Sequence, residues 1–187
     1  GRRAKLFKTL QVSDEIRFRR AVFSPNGKQL ATVSKDKLVR LWDAASGKVT
    51  MTLKGPTEEP TAVVWSPDGR RVAASAHDGY VWVWNVQRRG RLVARLEGHR
   101  GSISAVAFSP DGKWIASTGT TDKQVRLWDA ATGRSRVALS GHERAPQVVA
   151  FSRDGKHLVS SGYGEKLLLW DTKIALEGPR VGRPALI

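Results

Sequence analysis

The stretch 98–133, GHRGSISAVAFSPDGKWIASTGTTDKQVRLWDAATG, decides the fold. Short apolar runs at 103–108, 114–117 and 125–128 alternate with clusters of Pro, Asp and Gly, the pattern of strands joined by tight turns. No part of it is long enough or periodic enough for a helix.

The same unit recurs three more times. Its turn tetrapeptide appears as SPNG, SPDG, SPDG and SRDG beginning at Ser24, Ser66, Ser109 and Ser152, always 42 or 43 residues apart. The endings LWD, VWN, LWD and LWD keep pace, with Trp42, Trp84, Trp128 and Trp170 spaced by 42 to 44 residues. Two independent markers holding one period establish an internal repeat, and a period of this size dictates the architecture. Strands are expected at 18–23, 29–33, 38–42 and 49–53 in the first repeat, and at 62–65, 71–76, 80–84 and 91–96 in the second. The fourth repeat places them at 146–151, 157–161 and 166–170. In the first hairpin Pro25 presets φ and Gly27 accepts positive φ.

The order GH, SPDG, an aspartate six residues before a tryptophan, then WD, resembles the tandem WD-repeat β-propeller family across about residues 4–172. The resemblance implies an all-β fold of four consecutive four-stranded antiparallel blades, at about 4–54, 55–97, 98–140 and 141–172. A short final strand and a flexible tail are expected over 173–187. A leading strand at 4–10 would belong to a preceding blade, or would close the ring by pairing with the last strand at 174–176. Three readings stand: a fragment of a larger propeller, two chains forming one ring, or a closed four-bladed ring. The fragment is favoured, because the chain begins at Gly1 and ends raggedly.

Composition bounds the function. Lys and Arg number 32 against 17 Asp and Glu, a formal charge of +15, with seven of the cations within residues 1–20. Such an excess bears on solubility and on anionic partners, not on fold. Spread over turns and strand edges, it reads first as solvated surface that guards against edge pairing. Cysteine is absent, which removes disulfides and thiolate metal sites. Neither a secretory leader nor a membrane-length apolar run is visible, and a cytoplasmic setting is expected.

By the resemblance, His99, Asp122 and Trp128 form a structural hydrogen-bond network with Ser117 or Thr118. The fourth repeat keeps His142 and Trp170 but has Gly164 in place of the aspartate. The first and second keep Asp36, Trp42, Asp78 and Trp84 but have Asp14 and Pro56 at the histidine position, so they are expected to be less rigid. A Ser, a His and an Asp together raise the question of hydrolysis. Here the hydroxyl lies in a repeated strand rather than a strained nucleophile turn, and no oxyanion loop accompanies it. No phosphate loop or metal-ligand spacing is present, and His77, His99, His142 and His157 occupy different repeat positions, so no catalytic residue, cofactor or metal is expected. Trp65 and Trp114 read as core, and Trp82 as half exposed.

The resemblance also places partner contacts on one face of the ring. Carried over position by position, these are Arg17, Arg19 and Lys35, then Glu59, Thr61 and His77, then Ser102, Ser104 and Thr121, then Ala145, Gln147 and Tyr163. The expected function is a noncatalytic platform for protein or peptide partners, with further blades or a second copy as additional partners. The alternative is a basic surface that binds nucleic acid or another polyanion.

Overall fold

In the computed structural model, residues 9–10, 12–13, 16–164, 166–173 and 181–182 are described. Among the described residues fifteen strands pair antiparallel in four sheets, and a sixteenth adds to the third in parallel. The first holds β1 (Phe18–Phe23), β2 (Gln29–Ser34), β3 (Val39–Asp43) and β4 (Val49–Leu53) in that order. The second holds β5 (Pro60–Trp65), β6 (Arg71–Ala76), β7 (Val81–Asn85) and β8 (Arg91–Leu96). The third holds β9 (Ile103–Phe108), β10 (Trp114–Gly119), β11 (Val125–Asp129) and β12 (Ser135–Leu139). The fourth holds β13 (Pro146–Phe151), β14 (His157–Gly162) and β15 (Leu168–Asp171). The leading strand expected at 4–10 falls largely, and the final strand at 174–176 wholly, outside the described residues. Val181 and Gly182, read from sequence as tail, form β16 (Val181–Gly182), which pairs in parallel with Ala138 and Leu139 at the outer edge of the third sheet.

Alternation along each strand sends its apolar side chains to both faces, so every sheet packs on the next. Val33, Leu41 and Leu53 of the first sheet meet Val63, Trp65 and Trp84 of the second. Val81, Val83 and Leu96 meet Ile103, Ile115 and Trp128. Val125, Leu127 and Leu139 meet Val149, Leu158 and Trp170. Three seams thus hold three apolar clusters, with the inner strands β1, β5, β9 and β13 packed successively side by side. At the two ends of the array apolar side chains stay open: Phe23 is 62% exposed where its counterpart Trp65 is 7%, and Val148 of the fourth sheet is 53% exposed.

The SPDG turns are closed by side chains. Ser109 Oγ donates to Asp111 Oδ1 at 2.6 Å and accepts the Trp114 N–H at 2.9 Å, while Gly112 takes φ 70°. Ser66 with Asp68 and Ser152 with Asp154 repeat this arrangement. Burial by itself would raise the Asp111 carboxyl, but the hydrogen bond from Ser109, the Lys113 N–H and the Lys113 charge outweigh it and hold it below its ordinary value.

Each tryptophan that ends a third strand finds a polar partner. In the third sheet Trp128 Nε1 donates to Ser117 Oγ at 2.8 Å, His99 Nε2 lies 2.8 Å from that oxygen, and His99 Nδ1 lies 2.8 Å from Asp122 Oδ2. Carboxylate and indole fix the polarity: Nδ1–H donates to Asp122, and the Ser117 hydroxyl, accepting from Trp128, donates to Nε2. The fourth sheet repeats this with Trp170, Ser160 and His142. In the first, Trp42 donates to Thr32 Oγ1 at 2.8 Å, while Arg40 holds Asp36 and donates to Ser34 Oγ at 2.9 Å. In the second, Trp84 donates to the Lys54 carbonyl, and Asp78 accepts the Trp82 indole N–H at 3.0 Å and the Thr57 N–H at 2.9 Å. The aspartates of the two histidine-less repeats are therefore supplied with other donors. Trp82, expected half exposed, is 7% exposed, because Asp78 takes its N–H and Tyr80 stacks edge-on against it. Trp114, expected in the core, is only partly buried.

Ser117, His99 and Asp122 have the connectivity of a hydrolase triad. Yet Ser117 is fully buried within β10 and its oxygen is occupied by the Trp128 indole, so no substrate reaches it.

Ser117→Ala strands both the Trp128 N–H and the His99 nitrogen, and is expected to cost about 2 kcal/mol in urea unfolding; a loss below about 0.5 kcal/mol would contradict the network. The Asp111 carboxyl titrates lower folded than unfolded, so its stabilisation is complete above the unfolded value of about 4 and is lost as pH falls toward the folded value. Thermal unfolding followed into the acid range should therefore show Asp111→Asn losing less Tm than the parent chain; an equal loss would contradict the assignment.

Candidate functional site

The first strand of every sheet carries one β-bulge, at the same place. Phe18 pairs with Ser34 and Arg20 with Val33, leaving Arg19 without an opposite residue. The same skip leaves out Thr61 between Pro60 and Ala62, Ser104 between Ile103 and Ala105, and Gln147 between Pro146 and Val148. A bulge re-aims the extra side chain out of the ladder. Here all four are turned into one cavity of about 500 Å³, lined by Arg19, Arg20, Pro60, Thr61, His77, Ser102, Ser104, Thr120 and Gln147. Every sheet contributes to it.

Two of the bulged side chains lock the seams. Thr61 Oγ1 donates to the Ile103 carbonyl at 2.6 Å, and Ser104 Oγ donates to the Pro146 carbonyl at 2.5 Å. Each hydroxyl in turn lies 2.8 Å from a hydroxyl of its own second strand, Ser75 for Thr61 and Thr118 for Ser104. Arg19, in the first sheet, instead forms an ion pair with Glu59 of the second. Among the described residues Gln147, in the last, makes only a long bond of 3.5 Å to the carbonyl of Ala145, two residues before it.

The loops add a second layer. The Lys35 N–H donates to the Arg17 carbonyl at 3.0 Å, the His77 N–H to the Glu59 carbonyl at 3.0 Å, and the Thr120 N–H to the Ser102 carbonyl at 2.9 Å. His77 Nδ1 also lies 2.6 Å from Ser102 Oγ across the second seam. The Glu59 carboxyl is held below its ordinary range, chiefly by the hydrogen bond from Arg19, with Lys35 and His77 adding positive potential and burial opposing them.

Of the twelve positions carried over from sequence, Arg19, Thr61, His77, Ser102, Ser104 and Gln147 line the cavity, and Glu59 and Lys35 stand beside it. Arg17 is exposed and enters through its carbonyl. Ala145 is partly buried, and Tyr163 is 81% exposed beyond the lining. Thr121 is displaced: the third repeat has one residue more ahead of its aspartate, and that residue moves the backbone contact, and the cavity position, to Thr120. Counting forward from Ser117 rather than back from Asp122 finds it. Arg20 was also missed, although its signal is legible, since the sister repeats have Ala62, Ala105 and Val148 there.

A family model described as WD domain, G-beta repeat matches residues 7–43, 47–85, 90–129 and 133–171. After the first, each match begins at or just before the outer strand of one sheet and ends with the third strand of the next, so the sequence repeat straddles the seams. The chain is 32% identical over 78 residues to the periodic tryptophan protein 2 homolog of Caenorhabditis elegans, covering 42% of the chain and 9% of that protein. It is 38% identical over 55 residues to coronin-7 of Mus musculus, covering 29% and 6%. Over 49 residues it is 49% identical to ribosome assembly protein 4 of Chaetomium thermophilum, covering 26% and 10%. The chain thus matches about a tenth or less of the length of each. With the repeat matched four times along most of the sequence, and four antiparallel sheets stacked in its register, the chain belongs to the WD-repeat family.

Proposed function

We propose that this chain is a noncatalytic docking platform that takes protein or peptide partners at the cavity where the four inner strands begin. The observation that supports it is the set of four bulges in register, which aims one side chain from each blade at a shared cavity of about 500 Å³. A cavity of this size holds a few side chains of a partner. Its lining is made of groups that recognise rather than react: guanidinium, hydroxyl, amide and one imidazole. The loops that surround it differ from blade to blade while the strands beneath repeat, which is how a rigid scaffold presents a specific surface.

Two kinds of lining residue are separable by mutation. Thr61→Val removes a seam bond and leaves the Ile103 carbonyl without it, so it is expected to lower stability by about 1–2 kcal/mol. Arg20→Ala, Lys35→Ala and Tyr163→Ala touch exposed side chains and should leave Tm unchanged while weakening binding. The measurement is affinity capture on the immobilised chain, identification of the bound protein, and titration of that purified protein against each variant. Undiminished affinity in all three exposed-residue variants would rule out docking at this face.

A further inference from the structure

The cavity is asymmetric in charge, and the asymmetry has a chemical reading. Three of its lining residues, Arg19, Arg20 and His77, are or can become cationic, and none is acidic. Glu59, outside the lining, is committed to the lining residue Arg19 across the first seam. The sister repeats have Arg17, Ser102 and Ala145 at this position, so the acid occurs only in the second blade, where it meets Arg19 of the first. Arg20 makes no ion pair or hydrogen bond among the described residues.

We propose that Glu59 is an internal stand-in for the partner's own carboxylate, and that the cavity receives an acidic peptide segment whose Glu or Asp side chain displaces Glu59 from Arg19 and engages Arg20. The inference rests on the docking reading above and deepens it by naming the chemistry of the partner. Three features make the exchange workable. The ion pair is open to water, with the Arg19 side chain 48% and the Glu59 side chain 22% exposed, and such pairs hold weakly. A guanidinium presents several N–H donors in a fork that fits a carboxylate, and Arg19 uses only its Nε–H on Glu59. Released, Glu59 stays beside Lys35 and His77, which already favour its charged form, so it is not left without compensation. Across the cavity the Gln147 amide, held only by its long bond to Ala145, is placed to meet the backbone of the incoming segment.

The seam bonds explain why the exchange stays local. Thr61 and Ser104 fasten the second blade to the third and the third to the fourth through backbone carbonyls. Only at the first seam does the bulge position use a pair of charged side chains, the one contact of this layer that a soluble carboxylate can replace.

The test is fluorescence anisotropy of a fluorescein-labelled oligoglutamate peptide against the whole chain and three variants at low salt. Glu59→Gln frees Arg19 without changing side-chain size and should tighten binding about three- to tenfold, the effect of releasing one exposed ion pair. Glu58→Gln makes the same change in net charge at a neighbouring acid, which lies 3.7 Å from Lys37 and outside the lining. It should shift affinity less than about twofold, because a rim charge in water is screened. Arg20→Ala should weaken binding about fivefold or more. Equal effects of Glu59→Gln and Glu58→Gln would overturn the proposal in favour of bulk electrostatics, as would an unchanged Arg20→Ala. A random-sequence oligonucleotide that binds more tightly than the peptide, and responds alike to every variant, would also overturn it and assign the charge to a polyanion. If the identified protein partner still loses affinity with Arg20→Ala while the peptide shows no Glu59→Gln response, the stand-in fails and the docking reading survives; if the peptide is flat and the partner is indifferent to Arg20→Ala, Lys35→Ala and Tyr163→Ala alike, both fall.

Discussion

A hydroxyl that leaves its own strand and donates to the backbone of the next sheet is the contact on which the arrangement of this molecule turns. Thr61 reaches the Ile103 carbonyl and Ser104 reaches the Pro146 carbonyl, and each bond exists because a bulge has freed one residue from the ladder. A carbonyl at the edge of a packed seam needs a donor, and the neighbouring blade supplies it. The apolar clusters provide most of the driving force for stacking, but they are non-directional. The bulge bonds are directional, and they set the height at which one blade meets the next. The cavity follows from this, since blades held at one height bring their loops together at one end.

The tryptophan network shows how such a design tolerates a degenerate sequence. The full set of His99, Ser117, Asp122 and Trp128 occurs once, and the fourth blade keeps three parts of it through His142, Ser160 and Trp170. Where the histidine is missing, the aspartate has recruited what its own blade offers: the Arg40 guanidinium in the first, and the Trp82 indole with the Thr57 N–H in the second. What is preserved is the satisfaction of a buried indole and a partly buried carboxylate, rather than a particular set of residues. Arg40 and Trp82 occupy one register position, two residues before the tryptophan. Sequence reading, which treats each absent histidine as a lost bond, overlooks this substitution because the replacement comes from another strand.

That contrast marks how much was legible. Strand positions followed from turn chemistry and period, because SPDG and WD lie at fixed offsets and local rules govern both. The cavity residues Arg19, Thr61, Ser104 and Gln147 were reachable only by analogy, since the bulges that aim them lack a glycine or any other local signal. Thr120 was misplaced by one residue because a turn insertion is invisible to backward counting. Trp82 was misjudged because its burial depends on Asp78, four residues away, and on Arg95 and Tyr80 stacking about it. Val181 and Gly182 joined the third sheet through a parallel pairing that no short-range pattern encodes.

The common cavity takes its shape from blades one to four enclosing the same space. Because the chain has no cysteine, nitroxide labels can be placed at single engineered cysteines without a background. Arg20 in the first blade and Gln147 in the last line the same cavity despite their distance in sequence. Dipolar spectroscopy on labels at these two positions should give one short, narrow separation, no wider than the cavity with its two label arms. A broad separation on the scale of the whole molecule would mean that the blades are strung out rather than gathered, and would contradict the account.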